Sequence, residues 1–235
     1  RMHRLFEKYR KTVLAIATHR SFLQNRIMST VYLSTAYFAP VSYYASFLRY
    51  DRIVIEQWCN YTKQTYRNRC HIAGANGLLA LSVPIVKPDT IKCPTKDIRI
   101  SDHGEWRHLH WNAIASAYGS SPFFEYYQDD IRPFFEKRYE FLLDFNEEIR
   151  RTVCNLIGLE PHIEYSSSYS EPAPGETDLR DAIHPKKRKA ETILPVQPKP
   201  YYQVFSEKYG FQPDLSIIDL LMNMGPESIL ILQNA

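Results

Sequence analysis

Apolar residues fall along this chain in two rhythms. In the first part they form short β-branched and aromatic runs, Val31-Tyr32-Leu33 and Ile53-Val54-Ile55. A turn at Ala39-Pro40 and a helix-compatible stretch at residues 41–50 separate the two runs. Strand, helix and strand in that order predict a β-α-β unit with neighbouring parallel strands. Gly74-Ala75-Asn76-Gly77 then predicts a hairpin turn that sets residues 67–71 opposite a buried strand at residues 78–83. Pro84, Pro88 and Pro94 mark a loop, and residues 96–100 alternate as a further short strand. Beyond it the spacing changes to threes and fours over residues 106–117 and 123–158. Leu142, Phe145, Ile149, Val153 and Ile157 make one stripe, with Gly158 placed to end that helix. The pattern predicts an α/β fold: an amino-terminal β-α-β sheet unit with a hairpin, then a helical carboxyl-terminal half.

Residues 165–200 follow neither rhythm. Ser166-Ser167-Ser168, six prolines and Lys186-Lys187-Arg188-Lys189 cannot bury much apolar surface, so a long surface loop is expected, with residues 178–181 as an ordered island. Ser216, Asp219 and Gly225 then bracket a last helix as N-cap, first-turn acid and terminator.

The formal net charge of +3 conceals an asymmetry. Residues 1–27 hold seven basic residues and one acid, leaving 22 basic and 25 acidic residues in the rest. That mildly acidic body gives little footing for nucleic acid, and the basic tetrad reads as a solvated charge run. Leu5, Phe6, Tyr9, Val13, Leu14 and Ile16 recur at helical spacing on the basic segment. A membrane-surface or partner-binding helix and a loose extension ahead of Met28 both fit it, and we favour the extension. The expected organisation is a basic extension at 1–27, helical or poorly packed, and a single domain at 28–235. The four cysteines form no CxxC pair, which fits a reducing compartment. No apolar run is long enough for a membrane span, and a cytoplasmic protein is expected.

Hydrogen-bonding chemistry concentrates in residues 61–77. Lys63, Arg67 and Arg69 are cations there, Gln64 and Asn68 are amides, and Tyr61 and Tyr66 are aromatic donors. Guanidinium forks match carboxylate or phosphate, and amides both donate and accept, so the segment suits an anionic or hydroxyl-rich ligand. A polar hairpin facing water is the competing account. His71 closes the segment as the candidate proton carrier, because its ordinary pKa lies near neutrality. Asp219 and Asn223, four residues apart, share a helix face. His103, His108 and His110 lack the spacing of a zinc helix and are read as solvent-facing, so no metal is assigned.

Taken in order, Tyr66-Arg67-Asn68-Arg69-Cys70-His71-Ile72, Gly77, Leu81-Ser82-Val83-Pro84, Trp106, Tyr118, Pro122-Phe123-Phe124, Tyr127, Leu143-Asp144-Phe145-Asn146, Gly158 and residues 211–226 resemble the WbqC-like family of bacterial proteins. The resemblance spans about residues 31–232. It implies a role in surface polysaccharide of the O-antigen type, through transfer chemistry on an activated sugar or acyl substrate. The alternative it leaves open is a non-catalytic binding or scaffold protein of glycan assembly. In the family's pattern His-Gln-Pro commonly ends the first strand, where this chain carries Ser34, Thr35 and Ala36; if that histidine is the family's proton-transfer group, the departure implies a chain without the activity. The expected site has His71 as the catalytic group. Substrate is held by Tyr37, Tyr61, Lys63, Gln64, Arg67, Asn68, Arg69, Asp219 and Asn223, and no cofactor is assigned.

Overall fold

A computed structural model describes residues 2–21, 27–186 and 196–235. From Lys187 onward, the basic tetrad lies outside them. The basic segment forms helix α1 (Met2–Ser21). Its inner face buries Phe6, Val13 and Ala17, with Phe6 stacked on Tyr126 at 4.2 Å and Tyr9 hydrogen-bonded to Glu227.

The β-α-β unit forms as the pattern predicts. Strand β1 (Ile27–Ser34), helix α2 (Val41–Arg49) and strand β2 (Tyr50–Glu56) place Val31 beside Ile53 and Leu33 beside Ile55 in parallel register. Both strands are covered on both faces, which is why they read as unbroken apolar runs. The first turn of α2 is capped from far along the chain: Ser42 N–H donates to Asp214 Oδ1 at 2.8 Å and Ser42 Oγ to Oδ2 at 2.9 Å.

Residues 165–200 depart from the expected surface loop. Strand β5 (Ile163–Tyr165) pairs with β2, and strand β6 (Thr177–Asp178) pairs with the other edge of β1, so the sheet runs β5-β2-β1-β6, all parallel. Leu179, Ile183 and Val196 are buried. The exposed edge of β1 supplies the reason: its main-chain groups need partners, and Leu179 N–H meets Tyr32 O at 2.9 Å.

The hairpin of β3 (Arg69–Gly74) and β4 (Gly77–Ser82) is a separate antiparallel sheet. β4 is not the buried strand expected of it. Leu81 is buried opposite Cys70, Leu78 is exposed on the hairpin's open face, and Leu79, on the Leu81 face but nearer the turn, is 40% exposed. Residues 96–100 form a 3₁₀ turn at Thr95–Asp97 and isolated bridges from Arg99 to Phe141 and from Ile100 to Ile85, in place of a strand.

Helices make up most of the rest. They are α3 (Trp106–Tyr118), α4 (Phe124–Ile131), α5 (Pro133–Glu136) and α6 (Leu142–Ile157), followed by α7 (Ser206–Tyr209), α8 (Ile217–Met224) and α9 (Ser228–Gln233). All but the short α7 bury residues in the core. The α6 stripe Leu142, Phe145, Ile149, Val153 and Ile157 is fully buried. Gly158 ends it at φ +79°, with the Leu14 side chain so close that a Cβ there would lie 2.4 Å from Leu14 Cδ2. Ser216 Oγ caps α8 by accepting from Ile218 N–H. Among the described residues no helix is long and apolar enough to cross a membrane.

Candidate ligand-binding site at the carboxyl ends of the parallel strands

Parallel strands present their carboxyl ends, and the loops that follow, on one rim, where ligands of α/β sheets gather. Here β1 delivers Ser34 and Thr35, β2 delivers Glu56, and β6 leads into Leu179 and Arg180. Tyr66 and Arg67 arrive from the segment before β3. A cavity of about 10 Å³ lies between Ser34, Thr35, Tyr43, Arg67, Arg180 and Ile183, space on the scale of a single small polar group.

Arg67 dominates it. The residue is 3% exposed. Its Nη2 donates to Ser34 Oγ at 2.8 Å and lies 3.6 Å from Cys59 Sγ. The nearest carboxylate among the described residues is Asp181 at 3.7 Å, on an exposed side chain. Arg67 Nε is buried without a hydrogen-bond partner among the described residues. The backbone beneath is fixed: Asn146 Nδ2 donates to Arg67 O at 2.8 Å, and Tyr37 N–H to Tyr66 O at 2.8 Å. Ser34 is held too, its Oγ donating to Arg180 O at 3.2 Å and its carbonyl accepting from Tyr43 at 3.0 Å.

Buried charge surrounds this centre. Glu147 Oε2 accepts from Arg150 Nε at 2.8 Å and from the Tyr165 hydroxyl at 2.7 Å, while Oε1 faces Thr35 Oγ1 at 3.4 Å. Burial works against the Arg150 charge, yet the facing carboxylate holds its pKa above the usual value. Burial, and then Glu147, raise the Tyr165 hydroxyl. Glu56, fully buried, gathers Trp58 N–H, Cys59 N–H and Ser166 Oγ on Oε1, whereas its Oε2 has no partner among the described residues. Arg180 closes the rim, clasped by Asp178 and Glu171. The arrangement can hold a compact anionic or carbonyl oxygen through Arg67, whose guanidinium is positioned by its bond to Ser34 Oγ.

The residues expected from the sequence do not converge on this cavity; of that set, Arg67 alone lines it. Lys63 and Gln64 are exposed in the preceding turn, where Gln64 adopts φ +61°, and Tyr61 is half-buried. Asn68 and Arg69 are taken up by the hairpin. Asn68 Nδ2 donates to Val83 O at 2.8 Å, and Arg69 Nε to Ser82 Oγ at 3.0 Å. His71 is half-buried with its ring edge-on to Tyr66, and burial, then Arg69, lower its pKa. Tyr37 is sealed in the core, its hydroxyl 2.8 Å from His110 Nδ1. Asp219 accepts from Tyr118, Tyr201 and Gln203 at 2.9, 2.7 and 2.9 Å, and Asn223 Nδ2 bonds the Asp219 carbonyl one turn back. Burial raises the Asp219 carboxyl. Both sit in α8, whose neighbours already occupy the Asp219 carboxylate.

His110 corrects the reading of solvent-facing histidines: it is buried between Tyr37 and Trp106. Asn146, Glu147 and Arg150 went unassigned as site residues. Glu147 and Arg150 are signalled by a second α6 stripe with Leu143 and Cys154, adjoining the apolar one at helical spacing, and Asn146 by being the polar residue inside the apolar stripe.

The family model described as WbqC-like protein family matches residues 35–231. A curated relative, "Uncharacterized protein Rv1507c" of Mycobacterium tuberculosis (strain ATCC 25618 / H37Rv), is 25% identical over 214 residues, covering 82% of this chain and 89% of that protein. No solved structure matches the chain.

Proposed function

We propose a function for this chain, which belongs to the WbqC-like protein family, on the strength of one buried group. Arg67, enclosed at the carboxyl rim of the parallel sheet, keeps a guanidinium N–H unpartnered among the described residues and its nearest carboxylate at ion-pair distance only. Such a group is stabilised by an oxyanion that reaches it. The function is binding of an activated sugar or acyl donor by its anionic or carbonyl oxygen at Arg67. Ser34 Oγ, accepting from Arg67, aims the guanidinium at that oxygen; transfer of the sugar or acyl group to an acceptor hydroxyl, with the donor's activating group departing as its anion and the acceptor's proton passing to solvent, follows in the cytoplasm in surface-polysaccharide assembly. Lys63, Gln64 and Tyr61 precede Arg67 on the same segment and meet the more distant parts of the donor.

A second reading, binding without turnover, is favoured by Ser34-Thr35-Ala36 where the family pattern has His-Gln-Pro, and by Glu147, whose Oε2 is committed to Arg150 and Tyr165. Isothermal titration of the purified chain against nucleotide sugars and acyl thioesters tests the site. Binding is expected, weakened in Ser34→Ala and lost in Arg67→Lys and Arg67→Ala at unchanged circular dichroism. Retained affinity in folded Arg67→Ala overturns the site. Product released from a bound donor supports transfer, and a donor that stays intact supports the second reading.

A further inference from the structure

α1 turns two different faces outward. Successive residues step about 100° around a helix, so Met2, Leu5, Tyr9, Thr12 and Ile16 fall on one stripe. Met2, Leu5 and Ile16 are 65%, 63% and 49% exposed. This stripe lies beside, not on, the face of Phe6, Val13 and Ala17 that packs into the core. On its other flank Arg4, Lys8 and Lys11, at i, i+4 and i+7, form an exposed row of cations. The acid of this helix, Glu7, is paired with Arg10 at 3.3 Å, and among the described residues no carboxylate forms an ion pair with Arg4, Lys8 or Lys11.

We propose that α1 is an interfacial anchor that lays this side on an anionic lipid surface. Leu5, Ile16 and Met2 enter the acyl boundary, and Arg4, Lys8 and Lys11 meet the headgroups. Apolar residues alone on a soluble helix would leave an aggregation patch, and cations alone would suit any polyanion. The two side by side, on a helix whose third face is held by the core, fit the boundary between headgroup and acyl chain, where both are satisfied at once. A helix anchored by Phe6 against Tyr126 cannot cross the bilayer, so the chain lies on the surface. The proposal stands apart from the Arg67 cavity.

Co-sedimentation of the full chain with phosphatidylglycerol-containing vesicles, against pure phosphatidylcholine vesicles and duplex DNA, tests it. Binding to the anionic vesicles is expected, falling with salt and by about five-fold for each cation removed in Lys8→Gln and Lys11→Gln. The paired variant Leu5→Ser with Ile16→Ser, at exposed positions that leave the fold intact, is expected to abolish vesicle binding with the charge unchanged. The proposal fails if anionic vesicles do not retain the protein at low salt. It fails too if the serine variant binds them as the parent does, or if DNA binds more tightly than vesicles, which would make α1 a general polyanion site.

Discussion

Arg67 Nη2 donates to Ser34 Oγ at 2.8 Å, joining the end of the first parallel strand to a segment that reaches it only after the second. The bond ties two walls of the cavity together, and Asn146 secures the Arg67 carbonyl from α6. Arg67→Lys keeps the charge but loses the fork that reaches Ser34, and is expected to lower stability by about 1–3 kcal/mol, read from urea midpoints. Asp181→Ala, at an exposed carboxylate, is expected to change it by less than about 0.5 kcal/mol. Equal losses in the two variants would mean that the Asp181 ion pair, not the Ser34 bond, holds Arg67.

Glu147→Gln preserves shape and removes the charge that Arg150 faces inside the protein, where both side chains are nearly covered. Breaking a buried pair from one side strands the other charge, so a loss of about 3–5 kcal/mol is expected. Tyr165→Phe removes one hydrogen bond to the same oxygen and should cost about 1 kcal/mol. Chemical denaturation of the two variants side by side checks the ranking.

His110 gives the fold a pH signature. Burial lowers its pKa from 6.5 to about 4, and the Ser82 carbonyl facing the ring offsets this only in part. Above pH 6.5 the ring is neutral whether folded or unfolded, and contributes no pH dependence. Between 6.5 and about 4 the unfolded chain takes up a proton that the folded chain does not, so stability falls as pH falls through that window. The loss is about 3 kcal/mol by pH 4. Urea titrations across this range are expected to show the slope, and His110→Gln to flatten it; an unchanged slope in that variant would assign the effect elsewhere.

Gly158→Ala is expected to act on two elements. Its φ of +79° disfavours any side chain, and the new methyl would press on Leu14 of α1. A loss of about 1–3 kcal/mol is expected. Limited proteolysis should show cleavage within α1 at lower protease concentration than in the parent, whereas faster cleavage confined to α6 would show that the strain stays local.

The parts of the fold that were legible in the sequence bury one kind of side chain at one period. Leu142 to Ile157 announced α6 because every third or fourth position had to be apolar, and the two β-branched runs announced β1 and β2 because both of their faces are covered. β6 was hidden: two residues, Thr177 and Asp178, carry no alternation, and what recruits them is the open edge of a strand far upstream. The site was half legible for a similar reason. Residue type marked Arg67, Asn68 and Arg69 alike as ligand-gripping, but the side of the backbone each occupies is set by the hairpin, which engages Asn68 with Val83 and Arg69 with Ser82 and leaves Arg67 turned inward. Glu147 and Arg150 carried no signal in residue type alone, since charge pairs three apart on a helix usually face solvent, and it is the fold that buries both.

Because the sheet is β5-β2-β1-β6, its two outer strands come from a part of the chain made long after the inner two. On the ribosome the inner pair must wait, half-zipped, until residues beyond 178 emerge, a long loop closure of the kind that slows folding. Ser34, Arg67 and Arg180 therefore come together among the last events of maturation. Nascent or shortened chains would present helices and the inner strands while still lacking any place to hold a ligand.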